Sequence, residues 1–100
     1  MLKRQKIITV LKEDFPQLKS NFGVKKIALF GSFFKQKETK ASDVDIFIEF
    51  EKPIGFKFID LTERLENLLG RKIDVLTPAG MNSIRIKKIA RNIKRNLLYV

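Results

Sequence analysis

The sequence predicts an α+β fold in which a small mixed three-stranded sheet is flanked by helices, within a single domain over residues 1–100. Three observations support this class. Apolar residues recur at helical spacing at both ends of the chain and once between, and strand-like runs separate those stretches. A chain of 100 residues can form one hydrophobic core, and 44% hydrophobic residues are sufficient to fill it. We therefore expect the order helix, strand, short helix, strand, helix, strand, helix.

The first two elements are an amphipathic helix and a strand. Between residues 2 and 22, apolar side chains fall three or four positions apart among lysines and arginines, which is the period of a helix. Pro16 allows a break or restart within this helix, and Gly23 follows its end. Residues 24–30 are rich in apolar and β-branched side chains and are closed by Gly31, which indicates a strand.

A turn, a loop and a second strand follow. Gly31 and Ser32 suit a tight turn into a short helix, and residues 35–42 form a polar loop. Residues 43–50 alternate between two kinds of side chain, which predicts a strand with one buried face and with its two aspartates pointing the same way. The two faces are Val44, Ile46, Ile48 and Phe50 on one side, and Asp43, Asp45, Phe47 and Glu49 on the other.

The last third of the chain predicts helix, strand and helix. Apolar residues form a helical stripe over residues 58–69, and Gly70 suits the left-handed position that follows a helix. Residues 72–77 form a third strand, with Asp74 on the face opposite its apolar neighbours. A final helix is expected over residues 82–97, and its polar face carries Lys and Arg without any acid.

Composition limits the chemistry and the partners. With no Cys and no His, disulfides, thiolate metal sites and imidazole catalysis are excluded, so catalysis must use carboxylates, lysine, hydroxyls or a cation held by oxygen. Twenty-one Lys and Arg against 11 Asp and Glu give a net charge of +10, which favours polyanions or an acidic protein as partners. Since no apolar run is long enough to span a membrane and no secretory leader is seen, we expect a cytoplasmic protein.

Three aspartates, Asp43, Asp45 and Asp74, are the candidate metal ligands. Carboxylates gathered in one place repel one another unless a cation neutralises them. Mg²⁺ commonly combines one or two carboxylates with substrate phosphates, and two such ions about 3.5–4 Å apart can stabilise both oxygens of an in-line phosphoryl displacement. Gly31 and Ser32 complement this chemistry, because glycine lets the backbone approach a phosphate and serine adds a hydroxyl.

The spacing of these residues is more specific than any one of them. Taken alone, an Asp-x-Asp is usually a solvated strand edge or an unrelated metal ligand, and a Gly-Ser is usually a plain turn. The combination resembles the signature of the nucleotidyltransferase superfamily of DNA polymerase beta. It consists of Gly31-Ser32, ten intervening residues, Asp43-x-Asp45 and a later Asp74. In size the chain is similar to the minimal, antitoxin-type members. The resemblance covers about residues 24–77 and implies the polymerase-beta-like nucleotidyltransferase fold.

The resemblance also implies a role for each site residue. Asp43 and Asp45 would bind two Mg²⁺ ions, and Asp74 would help to hold the catalytic ion and act as base toward the incoming hydroxyl. Gly31 and Ser32 would hold the triphosphate of ATP.

The loop after Ser32 departs from the family pattern. Members commonly carry an Arg-Gly pair four residues after the Gly-Ser pair, whereas this chain has Phe34, Lys35 and Gln36 in this stretch. Lys35 keeps a positive charge within reach of a phosphate, although as a point charge rather than the fork of an arginine. We therefore include Lys35 among the nucleotide-binding candidates.

Three functions remain open at this point. The first is Mg²⁺-dependent transfer of a nucleoside monophosphate, AMP from ATP, to a hydroxyl of a partner protein, because so short a chain leaves little room for an acceptor-binding domain. The resemblance implies a HEPN-type toxin as that partner, with a tyrosine as acceptor and silencing of the toxin as the outcome. The second transfers the nucleotide to RNA or a small molecule. The basic last helix favours RNA, but no aromatic stacking platform accompanies it. The third is a non-catalytic protein that binds and neutralises its partner.

Overall fold

Four helices and four strands are present within residues 3–31, 43–83 and 87–100, the part of the chain that the computed structural model describes. In chain order they are α1 (Arg4–Phe22), β1 (Val24–Phe30), β2 (Val44–Phe50), α2 (Lys57–Leu69), β3 (Ile73–Leu76), α3 (Pro78–Asn82), α4 (Lys87–Arg95) and β4 (Leu98–Tyr99). The predicted α+β class is confirmed. The short helix predicted after Ser32 falls on residues outside the described ranges. No helix of the described ranges is both long enough and apolar enough to cross a membrane.

The strands form one mixed sheet in the order β3-β2-β1-β4. β1 runs antiparallel to β2 and to β4, and β2 runs parallel to β3. The sequence predicted three strands, so β4 is a correction. β4 contains only Leu98 and Tyr99, which pair with Leu29 and Ala28 of β1, and two residues are too few to show a period. The predicted last helix corresponds to α4, Lys87–Arg95, and α3, Pro78–Asn82, is a further correction because no helix was predicted there.

One face of the sheet carries the main hydrophobic core beneath α1 and α2. α1 contributes residues spaced by one and two helical turns, and α2 contributes a stripe spaced by four residues. The buried members from the helices are Ile7, Leu11, Leu18, Leu61, Leu65 and Leu69, and those from the strands are Val24, Ile27, Leu29, Val44, Ile46 and Ile48. The apolar face predicted for β2 therefore faces this core.

Pro16 lies inside α1 without ending it. A proline removes one N–H and so frees the carbonyl of the residue four positions earlier, here Lys12. Both Pro16 and Lys12 are exposed, so water can satisfy that carbonyl. The helix continues to Phe22 and ends at Gly23, whose φ of 67° is left-handed and whose N–H donates to carbonyls of the last turn.

An ion pair joins α1 to α2 at the rim of this core. Arg64 donates from Nε to Asp14 Oδ2 at 2.9 Å and from Nη2 to Asp14 Oδ1 at 2.7 Å, which is a two-pronged arrangement. The hydrogen bond and the nearby carboxylate charge raise the pKa of Arg64. The pair fixes the two helices against each other above the sheet.

The opposite face of the sheet carries a second, smaller cluster. Ala28, Phe47 and Met81 are buried there, and Phe30, Leu76, Ile93 and Leu97 pack against them. The sequence predicted that only one face of β2 would be buried, and burial of Phe47 corrects that expectation. Phe47 is covered by Met81 of α3, by Ile93 of α4 and by Leu97, which follows α4. The aspartates therefore share their face of the sheet with a small apolar patch.

Candidate active site

The central feature of the candidate site is a pair of aspartates on the two parallel strands. Asp45 of β2 is the register partner of Asp74 of β3. Neighbouring strands lie about 4.8 Å apart, so the two residues are adjacent across the sheet. The flanking Val44 and Ile46 are buried in the main core, which directs Asp45 to the opposite face. Asp74 is exposed and Asp45 is partly buried.

Asp43 lies at the start of the same region. It immediately precedes β2 and is exposed. The N–H of the next residue, Val44, donates to the carbonyl of Lys72 at 3.0 Å, which extends the pairing of β2 and β3 to this end of the sheet. The structure therefore places Asp43 at the same end of β2 and β3 as Asp45 and Asp74. The expectation that Asp43 and Asp45 point the same way stays a prediction.

Gly31 lies directly against Asp45. It follows Phe30, the register partner of Asp45, and its φ is 72°, in the left-handed region that favours glycine. A Cβ at Gly31 would overlap Asp45 Oδ2 and lie 2.9 Å from Cγ and 3.1 Å from Cβ of the same side chain. The turn predicted to hold phosphate thus contacts a carboxylate predicted to hold metal. Ser32 and Lys35, the other two predicted nucleotide-binding residues, lie outside the described residues.

The donor set fits a hard divalent cation that takes only part of its shell from the protein. Carboxylate oxygens are the ligands that Mg²⁺ prefers, and the lack of a side chain at position 31 leaves the space that the Asp45 carboxylate occupies. Among the described residues, no group of three or more acidic, His or Cys side chains could by itself enclose a metal ion. Such an ion would bind to one or two of these carboxylates and complete its shell with phosphate oxygens and water.

A cavity of about 390 Å³ lies on the same face of the sheet, beyond the aspartates. We call it the β2–α4 cavity, and its lining residues are Phe47, Glu49, Pro78, Met81, Lys94, Leu97 and Tyr99. Sequence reasoning missed it. The available signal was Phe47, an aromatic residue that alternates with Asp45 on the same face, but the other walls come from elements 30 to 50 residues later in the chain.

Comparison with known proteins agrees with this architecture. A family model described as Nucleotidyltransferase domain matches residues 5–100. Protein adenylyltransferase MntA of Thermococcus cleftensis is 37% identical over 101 residues, which cover 100% of this chain and 98% of the relative.

Two solved structures show the same fold. A candidate minimal nucleotidyltransferase superposes with a TM-score of 0.74 at 19% identity, covering 97% of this chain and 95% of its own. A toxin–antitoxin structure with AMP-PNP gives a TM-score of 0.63 at 20% identity, covering 98% of this chain and 72% of its own. Because the family match and the Thermococcus relative both span nearly the whole sequence, this chain belongs to the nucleotidyltransferase domain family and is an enzyme similar to the protein adenylyltransferases.

Proposed function

We propose that this enzyme transfers AMP from ATP, with Mg²⁺, to a hydroxyl of a partner protein, and that the partner is a toxin of the HEPN type. The observation that carries the proposal is the register pairing of Asp45 with Asp74 beside the Gly31 turn, because it sets two carboxylates next to a backbone bend that can approach a phosphate. A relative 37% identical is named a protein adenylyltransferase, and a structural neighbour is a toxin–antitoxin assembly with an ATP analogue. The single domain and the cytoplasmic location expected from the sequence are part of this proposal.

Each residue of the site has a defined task in this reaction. When bound, Mg²⁺ neutralises phosphate charge and orients the reacting oxygens for in-line displacement. Asp43 and Asp45 would hold the cations, Asp74 would help to hold the catalytic one, and the backbone at Gly31 admits the triphosphate tail. Asp74 accepts the proton of the incoming hydroxyl. The acceptor oxygen bonds to the α-phosphorus, the bond from that phosphorus to the oxygen bridging the β-phosphate breaks, and pyrophosphate leaves.

The test is AMP transfer by the purified chain. The chain is incubated with Mg²⁺, ATP labelled at the α-phosphate, and the product of the neighbouring gene, with an RNA pool as a parallel acceptor. We expect label on the protein partner and its loss in the Asp43→Ala, Asp45→Ala double variant. Tyr99 is the only tyrosine of the chain, so the Tyr99→Phe variant identifies any self-labelling. Transfer to RNA alone, no transfer, or undiminished transfer by the double variant would each refute the proposal.

A further inference from the structure

We propose that the β2–α4 cavity is the acceptor subsite, where an aromatic side chain of the partner protein lies while its hydroxyl reaches the aspartates. This inference rests on the proposed function and adds the residues that select the acceptor. Three features support it: the position of the cavity along the strands, the direction of attack, and the chemistry of the cavity walls.

The aspartates lie between the Gly31 turn and the cavity. Phe47 follows Asp45 by two residues on the same face, which is about 6.5–7 Å along the strand. β1 runs antiparallel to β2, and Gly31 follows Phe30, the register partner of Asp45. Along β2, the Gly31 turn and Phe47 therefore lie on opposite sides of Asp45. Along the strands the order is therefore the Gly31 turn, the carboxylates, and the cavity.

The stereochemistry of the reaction matches that order. In an in-line displacement the attacking and leaving oxygens lie on opposite sides of the phosphorus, and the other three oxygens spread around the equator. If the triphosphate tail lies at Gly31, pyrophosphate departs toward the turn and the acceptor oxygen enters from the cavity side. The ribose oxygen is equatorial, which directs the nucleoside away from this axis. The cavity is thus placed for the acceptor rather than for adenine.

The walls of the cavity favour an aromatic side chain. Phe47 and Met81, which are 7% and 2% exposed, form an apolar floor of the cavity, and Leu97 adds apolar surface to its wall. A ribose in the same place would lose water from its hydroxyls against apolar walls that cannot replace those hydrogen bonds. Lys94 adds a positive charge and Glu49, whose Oε2 lies 3.8 Å from Lys25 Nζ, adds a negative one, so the rim can contact polar groups of the segment that carries the aromatic residue. A volume of about 390 Å³ suits a small ligand and is in the usual range of such sites, about 300–1,000 Å³.

The test measures binding separately from catalysis. The probes are N-acetyl-tyrosinamide and N-acetyl-phenylalaninamide for the acceptor, and α,β-methylene-ATP with Mg²⁺ for the nucleotide, because this analogue cannot release AMP. Amide NMR shifts of the ¹⁵N-labelled chain report where each binds. We expect both aromatic probes to shift the amide signals of Phe47 and Met81, and the nucleotide analogue to shift those of Gly31 and Asp45.

A blocking variant and its control complete the design. Lys94 and Arg95 are both exposed on α4, but only Lys94 lines the cavity. Lys94→Trp is expected to lower the affinity for both aromatic probes about tenfold or more, because the tryptophan occupies the cavity. Arg95→Trp should leave both affinities unchanged. The affinity for the nucleotide analogue should be equal in both variants and in the wild type.

The outcomes separate this inference from the proposed function. Shifts of Phe47 and Met81 by the nucleotide analogue, together with its competition against the aromatic probes, would assign the cavity to adenine and overturn the inference. Aromatic probes that shift other residues, or that bind Lys94→Trp as tightly as wild type, would also overturn it even where AMP transfer to protein is intact. Aromatic binding in the cavity without AMP transfer would refute the proposed function instead.

Discussion

Substitution of Gly31 by alanine tests whether the turn and the Asp45 carboxylate act as one site. The added Cβ would lie 2.9 Å from Asp45 Cγ, whereas ordinary contacts begin near 3.4 Å, so the carboxyl carbon must retreat by about half an ångström and the overlapped Oδ2 by more. A misplacement of about 1 Å at a catalytic group can reduce the rate about 10²-fold, which corresponds to about 2.7 kcal/mol of barrier. We therefore expect Gly31→Ala to lose about two orders of magnitude in AMP transfer.

A matched control separates this displacement from backbone strain. Gly70 has nearly the same left-handed conformation, with φ 67° against 72° for Gly31, but a Cβ there would meet nothing within 4 Å. Both substitutions should lower the free energy of unfolding by about 1–2 kcal/mol, because alanine is disfavoured at positive φ. Only Gly31→Ala should also impair transfer.

The assay pairs two measurements on each variant. Urea denaturation gives the free energy of unfolding, and transfer of labelled AMP gives the rate under conditions where every variant is folded. Calorimetry with ATP and Mg²⁺ reports whether the nucleotide still binds. Equal activity of Gly31→Ala and Gly70→Ala, at equal stability, would show that the contact between Gly31 and Asp45 has no part in catalysis and would refute the reasoning.

Three further predictions concern charge and packing. Without Mg²⁺, Asp74→Asn should raise the free energy of unfolding by about 0.2–1 kcal/mol, because it removes like-charge repulsion across the strands. The substitution should also reduce the rise in melting temperature that Mg²⁺ produces. An equal rise in the variant and the wild type would contradict this prediction. Leu65→Ala, in the fully buried stripe of α2, should lower the free energy of unfolding by about 2–5 kcal/mol in urea titrations, while Phe56→Ala, at a side chain 93% exposed, should change it by less than about 0.5 kcal/mol. A double-mutant cycle with Asp14→Asn and Arg64→Gln should show favourable coupling that stays constant from neutral to alkaline pH. The pKa of Arg64 is raised in the folded state, so its contribution is complete below the unfolded pKa and is lost only as the pH passes the folded one; a coupling that declines well before that point would be inconsistent with the pairing.

Much of the fold follows from local pattern. The alternation in β2 correctly separated Val44 and Ile46 from Asp45, because side chains in a strand point alternately to its two faces. The stripe of α2 and its end at Gly70 were correct because a helix repeats over many residues and stops at a residue that tolerates positive φ. β4 was missed because two residues carry no period, and it forms only where β1 offers an unpaired edge.

For the candidate site, too, some features were predicted from the sequence and others became known only from the tertiary structure. The sequence alone predicted which residues are candidates for the chemistry: the aspartates and the glycine turn were singled out by residue type and spacing, and their roles stay a prediction. Only the tertiary structure decided that Asp45 and Asp74 are register partners, that Gly31 contacts Asp45, and that Phe47 is covered by Met81 to form a cavity on the aspartate face. The physical reason is that residue spacing determines where a side chain points within its own element, whereas strand register and helix packing depend on contacts between residues far apart in the chain.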